Sequence, residues 1–249
     1  MGQSRRCASR HHSLLLLAAF ACLTAQYAEA ATFGGDVTAV SDYIFRGISQ
    51  NYGDPAAQLD LHLGTGNGFF VGAWGSTLNS RGPRPNFEVQ LYGGKRFDLS
   101  TAWSATVQGV NYAYVGKGGE RSDDYQEVSV GISYLDSLNF SLSAAPNAIR
   151  YWQGFRLGRY PAYGADATGQ WSVGANVFLT GGAGYYFVSG PTFPGSGTPG
   201  YGYGNAGVAL EERSWRLDVG YFFAESKARL LFPYAETGNR VAATLSWRF

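Results

Sequence analysis

The chain has little of what most proteins use to charge or crosslink themselves. Only 15% of its 249 residues are charged and the formal net charge is +1, against about 25% charged residues in an average globular chain. That near-neutral balance excludes the basic footprint of a nucleic-acid binder. No uninterrupted apolar run is long enough to cross a bilayer as a helix, which excludes a membrane protein built of helices. There are two Cys, one Met and three His, so neither a disulfide framework nor a thiolate metal site is in reach. What is abundant is glycine, 35 residues without a collagen period, and aromatic side chains, with 6 Trp, 17 Tyr and 16 Phe. So many rings also exclude a disordered chain.

Residues 1–30 read as a secretory leader, and residues 31–249 as the mature domain. Arg5, Arg6 and Arg10 form a positive start, residues 14–22 an apolar stretch too short to span a bilayer, and Ala28-Glu29-Ala30 an A-x-A cleavage site. A lipid-anchored Cys22 fits less well, because Ala19-Phe20-Ala21 lacks the aliphatic residue such a site normally carries. The leader holds both cysteines, two of the three His, three Arg and one Glu; removing it leaves 16 basic and 17 acidic residues and His62 as the sole histidine. The mature chain is therefore expected to be held by packing or by a closed hydrogen-bond network. No cofactor or metal is expected, since one histidine falls short of the about three protein ligands of a catalytic zinc.

Almost everywhere the apolar period is two, the period of a strand. At the C-terminus Val241, Ala243, Leu245, Trp247 and Phe249 share one face, and Arg240, Ala242, Thr244, Ser246 and Arg248 the other. Trp215, Leu217, Val219, Tyr221 and Phe223 oppose Arg216, Asp218 and Gly220 in the same way. Residues 170–179 repeat the pattern, with Trp171, Val173, Ala175, Val177 and Leu179 on one parity. Alternation alone does not separate a soluble sandwich, apolar face inward, from a membrane barrel, apolar face outward.

Three features decide for the barrel. Many runs last 9–12 residues, matching the roughly 9–11 of a tilted membrane strand rather than the roughly 5–6 of a sandwich. Twelve strands are expected, at 36–46, 56–64, 69–78, 86–97, 100–114, 125–135, 138–145, 169–179, 181–188, 204–211, 214–224 and 240–249. The connections sort by parity: short after even-numbered strands (65–68, 98–99, 136–137, Thr180, 212–213), long after odd-numbered ones (47–55, 79–85, 115–124, 146–168, 189–203, 225–239). Outer-membrane barrels have short periplasmic turns and long outer loops. Finally, Trp103, Tyr134, Trp171, Trp215, Phe223, Trp247 and Phe249 lie near strand ends, as interfacial girdles require. Lipid offers no partner to an unpaired backbone, so the sheet must close. The expected fold is a closed antiparallel transmembrane β-barrel with both termini periplasmic, embedded in the lipid bilayer and bordering lipopolysaccharide. Trp247 and terminal Phe249, with alternate apolar residues before them, resemble the signal read by the barrel-assembly machinery.

The run Ser41-Asp42-Tyr43-Ile44-Phe45-Arg46-Gly47-Ile48-Ser49-Gln50, followed by Pro55-Ala56, Gln58, Asp60 and Gly68-Phe69-Phe70-Val71-Gly72-Ala73-Trp74, carries a further signal. With Phe87-Glu88-Val89-Gln90-Leu91-Tyr92-Gly93-Gly94, it resembles the Gcw_chp family, also called TorF-type porins, over about residues 36–97. The resemblance implies an outer-membrane, porin-like protein and says more about location than about activity.

Strand parity places candidate residues in the lumen. With Val37, Ala39, Tyr43 and Phe45 facing lipid, Asp36, Asp42 and Arg46 face inward. Asp42 and Arg46 would then lie roughly 13 Å apart along the strand and need partners elsewhere. Leu59, Leu61 and Leu63 outward put Gln58, Asp60 and His62 inward. Glu88, Glu127, Arg216, Asp218, Arg240 and Arg248 are also inward, and the mixed signs show neither the basic track of an anion pore nor the carboxylate ring of a cation pore. The expected function is a narrow porin for diffusion of small solutes, lined by Asp36, Asp42, Arg46, Asp60, His62, Glu88, Arg216 and Asp218, and not an enzyme. A non-conducting barrel acting through its loops is the alternative; inward Tyr92, Phe178 and Phe222 point that way. A barrel hydrolase using His62 with Ser76 or Ser49 ranks third. In the expected outer loop 146–168, Arg150, Trp152, Arg156 and Arg159 offer a basic-aromatic surface for lipopolysaccharide phosphates or sugars, or an inward plug.

Overall fold

The computed structural model describes residues 31–79, 85–116, 123–152, 155–191, 200–233 and 235–249, with Trp152 described by its backbone alone. The leader expected at residues 1–30 lies outside the described residues. In chain order the elements are β1 (Thr32–Val40), a small pair β2 (Ile44–Phe45) and β3 (Ile48–Ser49), then β4 (Ala56–Gly64), β5 (Phe69–Thr77), β6 (Phe87–Asp98) and β7 (Trp103–Val115). They continue with β8 (Tyr125–Tyr134), β9 (Leu138–Trp152), β10 (Phe155–Ser172), β11 (Val177–Val188), β12 (Gly200–Glu212) and β13 (Trp215–Ala224), the one-turn helix α1 (Ala228–Leu231) and β14 (Arg240–Arg248).

Twelve of these strands form one closed antiparallel barrel in which every strand pairs with its neighbour in sequence and β1 closes on β14. The closing seam runs from Asp36 opposite Arg248 to Val40 opposite Thr244, and β1 meets β4 on its other side along its whole length. Parity then sorts the side chains. Phe33, Val37, Leu61, Val71, Leu91, Val107, Val128, Leu142, Val219 and Val241 are exposed on the outer wall. That continuous apolar belt has no counterpart in a water-soluble barrel, whose apolar face points inward, and it identifies the outer surface as lipid-facing. Trp103, Tyr134, Trp171, Trp215, Phe223, Trp247 and Phe249 all stand on this outer surface, with tilted ring contacts at the turn-end rim between Trp103 and Tyr134 and between Trp215 and Trp247.

The two ends of the barrel differ. At one, the turn end, strands join through short turns such as 65–68, 135–137 and 213–214, and both described termini lie there. At the other, the loop end, the connections 41–55, 78–86 and 225–239 are long. Two expectations change here. Residues 146–168 are not a loop: β9 and β10 continue as a paired hairpin past the rim, with register irregularities at Arg156/Gly158 and Tyr160/Ala162. Pro146, Gly158 and Pro161 break the alternation there, and the bulges shift its parity, so the period-two signal vanishes although the pairing persists. Thr180 is not a turn but lies within β11 opposite Gly207 and Gln170; the turn is at 173–176. It was hidden because Trp171 pairs with Leu179, so both arms of the hairpin present the same parity and the alternation runs unbroken across the turn.

Candidate functional site: the lumen and its plug

The lumen is divided by the connection after β1. The sequence pattern predicts one strand over 36–46, but the wall strand ends at Val40. A last wall contact ties the Ser41 amide to the Ala243 carbonyl, and the chain then turns inward. β2 and β3 form a minimal hairpin whose two turn residues, Arg46 and Gly47, have φ of +49° and +76°. Positive φ at both central positions is the primed turn whose twist suits a two-residue hairpin. Gly47 is required twice over, because a Cβ there would sit 2.8 Å from the Phe223 carbonyl oxygen.

This inward fold overturns the parity reading of the segment. Tyr43 and Phe45, expected toward lipid, are inside the barrel: Tyr43 is buried and Phe45 packs near Tyr112 at 6.2 Å between ring centroids. Parity holds only while the chain is part of a sheet; once it leaves the wall, alternate residues no longer share a face. Asp42 and Arg46 are also inside, though not as wall residues.

The hairpin reaches across the lumen. Arg46 Nη2 donates to both carboxylate oxygens of Glu127 on β8 at 2.9 Å and to Ser143 Oγ on β9 at 3.0 Å. Its guanidinium lies 4.6 Å from the ring centroid of Tyr186 on β11 and 4.8 Å from that of Phe45. The Tyr201 hydroxyl of β12 donates to the Arg46 carbonyl at 3.1 Å. On the opposite side Tyr43 donates to Glu88 of β6 at 3.3 Å and packs against Trp74 of β5 at 5.4 Å. Asp42 accepts from Ser49 at 2.5 Å and from Arg240 of β14 at 2.9 Å. Each buried charge thus has a partner, which limits the desolvation cost of placing it there.

A second segment completes the filling. Residues 225–239 carry α1, whose Ala228 and Leu231 are buried in a cluster with Ile48, Ala145, Ala148, Tyr186, Val188, Tyr201 and Tyr203. Arg240 ties the two segments together, donating to the Glu236 carbonyl while holding Asp42. The run Ala228-Arg229-Leu230-Leu231-Phe232, apolar but for Arg229, was the sequence signal for this second inward segment.

Below the plug, toward the turn end, the lumen is polar and open. A cavity of about 450 Å³ is lined by Gln170, Asn205, Arg216, Asp218 and Thr244, among others. Arg216 donates to both oxygens of Asp218 at 2.8 Å and to Gln170 at 3.1 Å, with Glu211 at 3.3 Å. Across the barrel Asp60 accepts from Tyr92 at 2.7 Å and meets His62 Nδ1 at 2.7 Å. Tyr92 lies flat over Gly72, where a Cβ would come within 2.4 Å of its ring. Asp36 accepts from Thr38 at 2.8 Å on the same inner face. Neither serine considered for a hydrolase is aimed at His62. Ser49 Oγ is engaged by Asp42, and Ser76 lies four positions along β5 from Gly72, the residue opposite His62.

Arg150, Arg156 and Arg159 stand on the β9–β10 hairpin, Arg150 buried and the other two exposed. Arg150 is buried and donates to the Ser189 carbonyl at 2.6 Å; Arg159 donates to the carbonyls of Asp124 and Asn147 at 2.6 and 2.8 Å; Arg156 lies 4.0 Å from Asp123. They stitch the β9–β10 extension to its neighbours. The side chain of Trp152 lies outside the described residues.

Above the plug, at the loop end, a second cavity of about 290 Å³ opens. Its floor is Phe45, Arg46 and Ile48, and its walls include Tyr114, Tyr125, Tyr186, Tyr201 and Phe232. It shares no lining residue with the cavity below.

A family model described as bacterial protein of unknown function (Gcw_chp) matches residues 24–151. Among solved structures, the NanC porin superposes with a TM-score of 0.57 at 12% identity, covering 85% of this chain and 97% of that one. The KdgM porin gives a TM-score of 0.51 at 9% identity, covering 87% of this chain and 99% of that one. No curated protein matches the sequence. At such identities the likeness is one of fold, the transmembrane barrel of outer-membrane porins.

Proposed function

The chain belongs to the Gcw_chp family, and we propose that it is an outer-membrane channel for small polar solutes, closed in this conformation by the 41–55 hairpin. One observation carries this reading: the wall is complete without the plug. β1 hydrogen-bonds to β14 and to β4 along its edges, so the connection between β1 and β4 contributes no wall strand. Among the described residues the hairpin is attached through side-chain contacts and one bridge from Ser49 to Glu236. It can leave the lumen without opening an edge in lipid, where an unpaired strand edge is prohibitive. Its departure, with that of the 225–239 segment bridged to it at Ser49 and Glu236, would join the two cavities into one path that also passes the inward side chains Asp36, Asp60, His62 and Glu88. On this reading the turn end and both termini are periplasmic, the leader delivers the chain, Trp247 and Phe249 serve assembly, and the extended β9–β10 hairpin stands among lipopolysaccharide. No catalytic step is part of it.

A second reading, a non-conducting barrel that binds at its loop end, draws on the tightly packed cluster around Ile48 and Tyr201. Planar-bilayer recording separates the two. The protein is expected to give infrequent discrete openings, and a variant with residues 43–50 replaced by a Gly-Ser linker to give frequent, larger ones. Silence in both, across salts and voltages, would end the channel reading and leave the second.

A further inference from the structure

The geometry points to the cavity above the plug as a binding site for a small aromatic molecule that carries one hydrogen-bonding group, a phenol in its simplest form. Its volume, about 290 Å³, is at the lower edge of ligand-binding pockets, roughly 300–1,000 Å³, and an apolar cavity of roughly 150 Å³ already holds a benzene ring. Three properties of its lining select the guest.

The first is uncovered ring surface. Phe45 on the floor, Tyr114 and Tyr125 on the wall, Tyr151 on the extended hairpin and Phe232 from the second segment line the cavity and are partly exposed. Apolar surface that faces water gains by being covered. Rings presented from several elements favour a flat aromatic guest, which packs on them offset or edge to face.

The second is that the polar groups around these rings already have partners inside the protein. Ser49 donates to Asp42, Gln50 to the Ile48 carbonyl at 3.2 Å, Asn79 to Asp54 at 2.5 Å and Tyr201 to the Arg46 carbonyl at 3.1 Å. Tyr125 is stacked on Tyr112 at 4.3 Å, the Arg46 guanidinium lies over the Tyr186 ring, and Tyr52 and Tyr151 are engaged as well. The charged side chains of the lining are paired too, Arg46 with Glu127 at 2.9 Å and Asp123 with Arg156 at 4.0 Å. A polyhydroxylated guest would bury hydroxyls that find few groups to answer them, and a charged guest would have to compete with an existing ion pair.

The third is the exception among the rings. The hydrogen bond that Tyr114 makes comes from its backbone amide, to Asp124, and its hydroxyl has no hydrogen-bond partner among the described residues. A phenol hydroxyl both donates and accepts. It can therefore hold one O–H or N–H group of a guest whose ring lies against the neighbouring side chains.

The test is saturation-transfer NMR on the refolded full-length barrel in lipid nanodiscs, with the signal of protein-free nanodiscs subtracted. The probe is p-cresol; toluene lacks its hydroxyl, cyclohexanol lacks its aromatic ring, and benzoate brings a charge. Saturable transfer to p-cresol is expected, with toluene severalfold weaker and cyclohexanol and benzoate about tenfold weaker. Tyr114→Phe, which removes the hydroxyl and keeps the ring, is expected to weaken p-cresol to the level of toluene and to leave toluene unchanged. Tyr151→Ala, at the cavity wall on the extended hairpin, is expected to weaken both. Heat-modifiable migration on SDS gels checks that each variant is folded. Absence of saturable transfer to p-cresol, a comparison compound that binds as tightly, or p-cresol binding that either variant leaves unchanged would overturn the assignment. Binding does not require conduction, so silent bilayers would defeat the channel reading and leave this one standing.

Discussion

The two halves of the lumen are built from the same wall and filled differently. Toward the turn end, inward positions carry charged and amide side chains that pair along the wall, Arg216 with Asp218 and Asp60 with Tyr92, and leave a cavity of about 450 Å³ between them. Toward the loop end, inward positions are mostly tyrosines and alanines with the buried carboxylates Glu88 and Glu127 among them, and the space between them holds two inserted segments. Tyr201 is wholly buried there and Ile48 is 1% exposed. Small wall residues such as Ala145, Ala148 and Ala162 make room for the insert, and tyrosines grip it. A polar lumen half needs nothing but water to be satisfied, whereas an apolar lumen half needs an occupant. The contrast locates any closing device in the loop-end half, and within it the ion pair Arg46–Glu127 is the contact with most at stake.

Glu127→Ala tests that contact and carries the largest expected effect. Both partners are nearly buried, at 9% and 8% side-chain exposure. Removing one partner of a buried pair typically costs about 3–5 kcal/mol, because the other charge is left uncompensated. The docked hairpin bears that cost and the withdrawn hairpin does not. The ratio of open to closed channel should rise by about two to four orders of magnitude. Replacing both partners, Arg46→Met with Glu127→Leu, should return most of the closure, since an apolar pair of similar volume is often neutral. Open probability in bilayers reads both. If the single variant matches the unaltered protein, the two halves do not differ in the way described.

A smaller effect belongs to the other edge of the hairpin. Glu88 is 2% exposed and accepts from Tyr43 and from Gln90 at 2.8 Å. Tyr43→Phe keeps the packing on Trp74 and withdraws one donor from a buried carboxylate, at about 1–3 kcal/mol. The opening equilibrium should shift about tenfold. An effect as large as that of Glu127→Ala would mean that the grip is shared evenly around the lumen and not concentrated at Arg46.

The wall was legible in the sequence and the insert was not. Period two, strand length and the parity of connections all follow from a sheet one residue thick between lipid and water, and twelve strands emerge from them. Where the strand pattern misled, a definite cause is visible. Residues 170–179 alternate through a turn because Trp171 and Leu179 share parity. Residues 146–168 lose alternation at Pro146, Pro161 and two register shifts while remaining paired. Tyr43 and Phe45 continue the parity of Val37 and Ala39 although the wall has already ended. Nothing in an alternating pattern records whether a strand continues or folds inward, because both keep the same local residues extended. The Arg46-Gly47 pair, a turn flanked by Ile44-Phe45 and Ile48-Ser49, was the local sign of a hairpin. The carboxylates Glu88 and Glu127, expected to line a lumen, hold a segment of the chain itself.

The smallest effect is expected in the open half. Arg216 bridges Asp218, Glu211 and Gln170 in the turn-end cavity and touches none of the inserted residues. Arg216→Ala leaves Asp218 and Glu211 facing the lumen without their shared cation, though Arg248 still reaches Glu211 at 2.9 Å. The lumen potential there becomes more negative, and the cavity is wet enough that the surviving carboxylates keep water as a partner. Ion preference should therefore move toward cations by a modest factor, read as a shift of reversal potential across a KCl gradient, and the shift should shrink at high salt as the charges are screened. Open probability should not change, because no contact of the hairpin has been altered. A variant that opened the channel as well would show that the two halves are mechanically coupled through the wall, and the division of the lumen into a selecting half and a closing half would have to be given up.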